Sequence, residues 1–83
     1  MTKQQAITTL QAAFYKAGYR RVYIKSYDYL GHEPFLLFYG TKEHHTTTGQ
    51  CEQSIRGDCS IASLERYGAS HIIQCYERMF GRR

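Results

Sequence analysis

Tyr19-Arg20-Arg21-Val22-Tyr23-Ile24-Lys25-Ser26-Tyr27-Asp28-Tyr29 decides how this chain is read. The stretch is dense in β-branched and aromatic residues, which favour a pleated, half-buried surface. Tyr15, Tyr19, Tyr23 and Tyr27 recur every four residues, a spacing that a helix could also produce. Gly18 interrupts that series and the β-formers cluster after it, so the segment is read as a strand. Side chains alternate between the two faces of a strand. Val22 and Ile24 then form the core pair, and Tyr19, Arg21, Tyr23, Lys25, Tyr27 and Tyr29 share the outward face.

Working outward, Thr2-Lys3-Gln4-Gln5 has the form of a capping box. Ala6, Ile7, Leu10, Ala13, Phe14 and Ala17 follow at spacings of three and four, and Gly18 stands where a C-cap glycine would end the helix. A first helix is expected over residues 3–17. On the other side, Leu30-Gly31-His32-Glu33-Pro34 reads as a turn, and Phe35-Leu36-Leu37-Phe38-Tyr39 as a second, more buried strand closed by Gly40. His44-His45-Thr46-Thr47-Thr48 is read as a third, edge strand, with a loop as the alternative. Residues 49–57 suggest one helical turn ended by Gly57. A second long helix is expected from Asp58 or Ser60, with Ile61, Leu64, Gly68, Ile72, Cys75 and Met79 as its apolar stripe, Phe80 beside it and Gly81 at its end. Gly68 inside that stripe suggests a second backbone packing closely against it.

The expected fold is therefore α+β in two layers. It has an N-terminal helix, a β-hairpin or three-stranded antiparallel meander, and a C-terminal helix, with both helices on one sheet face. The opposite face stays open. At 83 residues the chain is read as one small domain over 1–83. A domain of this size buries only about 60–65% of its unfolded surface, so a homodimer through the open sheet edge or the Gly68 stripe is among the expectations. No apolar run approaches the ~18–20 residues that span a bilayer, and the first residues lack the apolar stretch of a secretory signal. Three cysteines, Cys51, Cys59 and Cys75, are an odd number for a secreted disulfide framework, which points to the reducing cytoplasm.

Eleven basic and seven acidic residues give a net charge of +4, with the acids interspersed among the bases. The outward face is expected to bind a macromolecular partner through Tyr19, Arg20, Arg21, Tyr23, Lys25, Tyr27 and Tyr29, joined by Tyr39 from the second strand. Tyr and Arg dominate protein interfaces because they bring large contact area at low rotamer cost. The same mixture can hold single-stranded nucleic acid, with bases on rings and cations on phosphates. Interspersed acids favour a protein partner over a polyanion. The functional expectation is a non-enzymatic module that occludes its partner. Small phage or mobile-element inhibitors of host nucleic-acid-handling or defence machinery, such as anti-CRISPR proteins, offer an analogy of size and physical style rather than of sequence. A direct nucleic-acid binder using the same face is the alternative.

No cofactor is expected. A Cys3His zinc site drawn from Cys51, Cys59, His71 and Cys75 is a further alternative, resting on the i, i+4 spacing of His71 and Cys75. The short Cys-x2–4-Cys knuckle of such sites is missing, and Cys75 sits in the apolar stripe. A nucleophilic pair of Cys51 or Cys59 with His32, His44 or His45 lacks any local sign of an activated thiolate. Arg56-Gly57-Asp58 is read as a charged turn.

Overall fold

A computed structural model describes residues 1–28, 34–46 and 49–80, without the side chains of 44–46, 50, 51 and 80. The order is α1 (Lys3–Lys16), β1 (Arg21–Tyr27), β2 (Phe35–Thr46), β3 (Gly49–Ser60), α2 (Ile61–Tyr67) and α3 (Ala69–Phe80). The three strands form an open antiparallel sheet in the order β1-β2-β3, with the helices on one side: an α+β fold. Among the described residues no helix is long and apolar enough to cross a membrane.

The capping box forms as its spacing dictates. Thr2 Oγ1 accepts the Gln5 amide at 3.1 Å, and Gln5 Oε1 accepts the Thr2 amide at 2.8 Å. Ala6, Leu10 and Phe14, four residues apart, then bury one line of α1 against the sheet.

Two glycines set how closely the layers approach. A Cβ on Gly40 would lie 2.8 Å from two ring carbons of Phe14 and 3.1 Å from Tyr19 Cδ2. A Cβ on Gly57 would lie 2.2 Å from Tyr76 Cε1 and 2.4 Å from its Cζ, closer than any contact allows. Aromatic side chains from α1 and α3 thus rest on bare backbone in β2 and β3. They are joined by Phe38, which lies 5.6 Å from Phe14 and 5.1 Å from Tyr76 between ring centroids. Leu36, Ile55, Ile61, Leu64, Ile72 and Ile73 fill much of the rest of the core.

The structure corrects several expectations. Gly40 does not end the second strand, because its missing side chain makes room for Phe14. β2 runs on to Thr46, so His44 and His45 continue it rather than starting a third strand. Thr47, Thr48 and the expected turn at residues 29–33 lie outside the described residues. Residues 49–57 form no helical turn: Gly49–Ser60 pairs with β2 along its whole length, and Arg56-Gly57-Asp58 is part of that strand. Finally, the C-terminal helix is two helices. Ser60 caps α2 by accepting the Ser63 amide at 3.0 Å, and Gly68, at φ +89° and ψ 150°, separates α2 from α3. A side chain at 68 would meet open space, so this glycine serves its backbone angle and not a close approach. The break resets the helical phase. Ala69, Ile72 and Ile73 turn inward, and Met79, expected in the stripe, is 68% exposed.

Candidate binding face

The register of the sheet lays out its open face in rows. Tyr27, Phe35 and Ser60 form one row, and Lys25, Leu37 and Asp58 the next. Tyr23, Tyr39 and Arg56 follow, then Arg21, Thr41 and Ser54. Beyond Arg21, β1 has ended, and Glu43 faces Glu52 across the remaining two strands. Strand parity puts these residues on one side because Leu36, Phe38 and Ile55, at the alternate positions, are buried under the helices.

Most of the expected face is where alternation placed it. Arg21, Tyr23 and Lys25 are exposed, with Tyr23 at 63% and Tyr39 at 41%, while Tyr27 is half-buried and stacks on Phe35 at 5.8 Å between ring centroids. Val22 and Ile24 pack against the core. Arg20 is exposed just ahead of the strand, its amide donating to Thr41 O at 2.9 Å. It lines a notch of about 210 Å³ with Arg21, Thr41, Lys42, Glu43 and Glu52. Tyr29 lies outside the described residues.

Tyr19 is the correction. It is 2% exposed, beneath the helices, and not on the open face. The strand starts two residues after it, so alternation does not govern its side chain. Its amide still donates to Phe14 O at 3.0 Å, which wraps residue 19 around the end of α1, and its ring meets Phe14 edge-on at 5.1 Å. The hydroxyl donates to Glu77 Oε2 at 2.7 Å, and Lys42 Nζ reaches the same oxygen at 3.2 Å while sitting 4.7 Å from the Tyr19 ring centre. Burial first, and the neighbouring Glu77 carboxylate second, push the Tyr19 hydroxyl well above the ordinary tyrosine range.

At the centre of the face the Tyr39 hydroxyl donates to Ser54 Oγ at 3.4 Å, and Ser54 Oγ lies 3.5 Å from Thr41 Oγ1. Once the Tyr39 proton leaves, the Ser54 hydroxyl first, and the Thr41 hydroxyl second, turn to donate to the phenolate oxygen, which lowers the Tyr39 pKa. The Arg56 guanidinium adds a smaller contribution in the same direction.

Neither families nor individual proteins supply a parallel. Comparison with models of protein families, with curated sequences and with solved structures finds no match. The chemistry of the face therefore rests on its own residues. Arg56, Asp58, Phe35 and Leu37 belong to it although the sequence reading left them out. Recognising 49–60 as a strand would have found the first two, and alternation along β2 the others.

The zinc set is not brought together. Cys75 Sγ lies 3.5 Å from His71 Nε2, and both line an apolar cleft of about 270 Å³ with Cys59, Tyr67 and Tyr76. Cys51 sits opposite His44 on the backbone register, eight residues up β3 from Cys59, or roughly 26 Å along an extended strand. Among the described residues no group of three or more His, Cys, Asp or Glu side chains is placed to hold a metal. Burial, with a smaller contribution from the Asp58 charge, pushes the Cys59 thiol up to about 11, which disfavours it as a nucleophile. His32 lies outside the described residues.

Proposed function

We propose that this chain is a protein-binding module that acts by covering a partner's surface with the open face of its sheet. The observation that carries the reading is the row Tyr23–Tyr39–Arg56, two exposed aromatic rings and a guanidinium side by side on a rigid three-stranded scaffold. Such residues anchor protein interfaces, because each buries much area and loses little rotamer freedom. An open sheet face covers another surface; it does not close around a small molecule. Charge favours a protein over a nucleic acid. Arg21, Lys25 and Arg56 on this side are matched in number by Glu43, Glu52 and Asp58, which a phosphate backbone would meet unfavourably.

The test is a pull-down with the immobilised chain, with and without nuclease, beside two variants. One carries Arg21→Ala with Tyr23→Ala; the other, Lys16→Ala with Gln74→Ala, alters the helical side. The expected result is a specific protein retained through nuclease treatment and by the helical-side variant, with at least about tenfold weaker binding to the face variant. Binding that vanishes with nuclease and falls steeply with salt would assign the face to nucleic acid instead. Binding unchanged in the face variant would end the proposal.

A further inference from the structure

The open face is complementary to itself. We propose that, away from its partner, the chain pairs with a second copy through this face, the two sheets stacked about a two-fold axis that runs along β2. The inference rests on the reading of this face as an interaction surface, and it names what occupies the face at rest.

The register supplies the argument. A two-fold axis along β2 lays β1 of one copy over β3 of the other, while β2 faces β2. Each row then meets the same row in reverse order. In the row Lys25–Leu37–Asp58, Lys25 faces Asp58 of the second copy, Leu37 faces Leu37, and Asp58 faces Lys25. In the row Tyr23–Tyr39–Arg56, the Arg56 guanidinium lies over the Tyr23 ring of the second copy, twice by symmetry, around a central Tyr39 pair. Phe35 meets Phe35 one row further on. Two opposite-charge pairs and two cation–π pairs therefore surround an apolar line, against one opposed Glu43 pair where β2 runs on past the end of β1.

The other face-to-face arrangement has its axis across the strands and lays β1 on β1. Centred on Tyr23, it sets Arg21 against Lys25 of the second copy and Arg56 against Arg56. Centred on Ile24 instead, it sets Arg56 against Asp58 of the second copy; only the two-fold along β2 brings Lys25 onto Asp58, so paired reversal of those two charges separates the two arrangements. Aligned sheets cross at about 30°, which keeps the rows in step near Leu37 and Tyr39, at the middle of the face. The shared face is only roughly 14 by 23 Å, three strands wide and seven residues long, so the pair is weak and yields to a partner with a larger surface.

Light scattering and sedimentation equilibrium on the full chain decide the matter. The wild-type chain should show a concentration-dependent monomer–dimer equilibrium below about 1 mM. Lys25→Glu alone and Asp58→Lys alone each oppose like charges twice and should weaken self-association at least about tenfold. An equimolar mixture of the two single variants restores both opposite-charge pairs, so it should dimerise within about threefold of wild type. Both positions are exposed, and circular dichroism checks that the variants fold. A wild-type chain monomeric throughout that range, a dimer indifferent to either charge reversal, or a mixture that stays monomeric would each overturn the proposal. A monomeric wild-type chain that still captures its partner through Tyr23 would leave the protein-binding reading standing and remove only the self-pairing.

Discussion

Cys59 shows how one side chain reports its surroundings. Its thiol lies on the core face of β3, packed against the core, and burial raises its pKa to about 11 from an ordinary 9.0. The neutral thiol is the form the fold favours. Its contribution to stability is therefore complete below pH 9 or so and is lost as the pH rises toward 11. Tyr19, also raised, adds a loss of the same sign at higher pH. Urea unfolding at about pH 8 and about pH 10.5 should show stability falling with pH, with a shallower fall in Cys59→Ala. An identical fall in that variant would show that Cys59 takes no part.

At the scale of elements, two glycines that look alike in the sequence do opposite things. Gly57 lets the Tyr76 ring lie on β3, so Gly57→Ala forces that ring aside and should cost about 1–3 kcal/mol. Gly68 carries a backbone angle that L residues rarely adopt, and Gly68→Ala should cost a similar 1–3 kcal/mol with no clash at all. Denaturant titration separates the causes. Truncating Tyr76 to Ala should relieve the loss from Gly57→Ala and leave that from Gly68→Ala unchanged.

The same elements show what could be read in advance. α1 was legible because cap, stripe and stop agree, and β1 because its alternation is regular. β3 was hidden: of its inward positions Gln53, Ile55, Gly57 and Cys59, one is polar and one is a glycine left bare for Tyr76. Its outward positions are polar throughout, so no alternation of apolar and polar residues announces a strand. Tyr19 misled for a related reason, since parity has no meaning for a residue ahead of the strand that still hydrogen-bonds to the end of α1. The split at Gly68 shifted the phase of α3, and the stripe drawn through a single helix went astray with it.

Across the whole molecule, the sheet narrows. β1 pairs with β2 only as far as Thr41, and β2 and β3 continue as a two-stranded ribbon from Lys42 to Gln53. Lys42 stands at the junction, where its ammonium ties the ribbon's base to Glu77 on α3. Two strands alone are marginally stable in water. Hydrogen exchange should therefore begin in the described amides of the ribbon, Lys42–Thr46 and Gly49–Gln53, before those of Leu36–Tyr39, which have strands on both sides. Equal protection in both regions would show that something further braces the ribbon.

The molecule's outline also governs how it moves through water. The molecule measures 48 × 21 × 19 Å, and its radius of gyration of 13.5 Å exceeds the roughly 12 Å of a rounded chain of this length. A rod-like body drags and tumbles as if it were heavier than it is. A lone copy would elute early from a gel-filtration column and imitate a larger species, so elution volume by itself would miscount the chains.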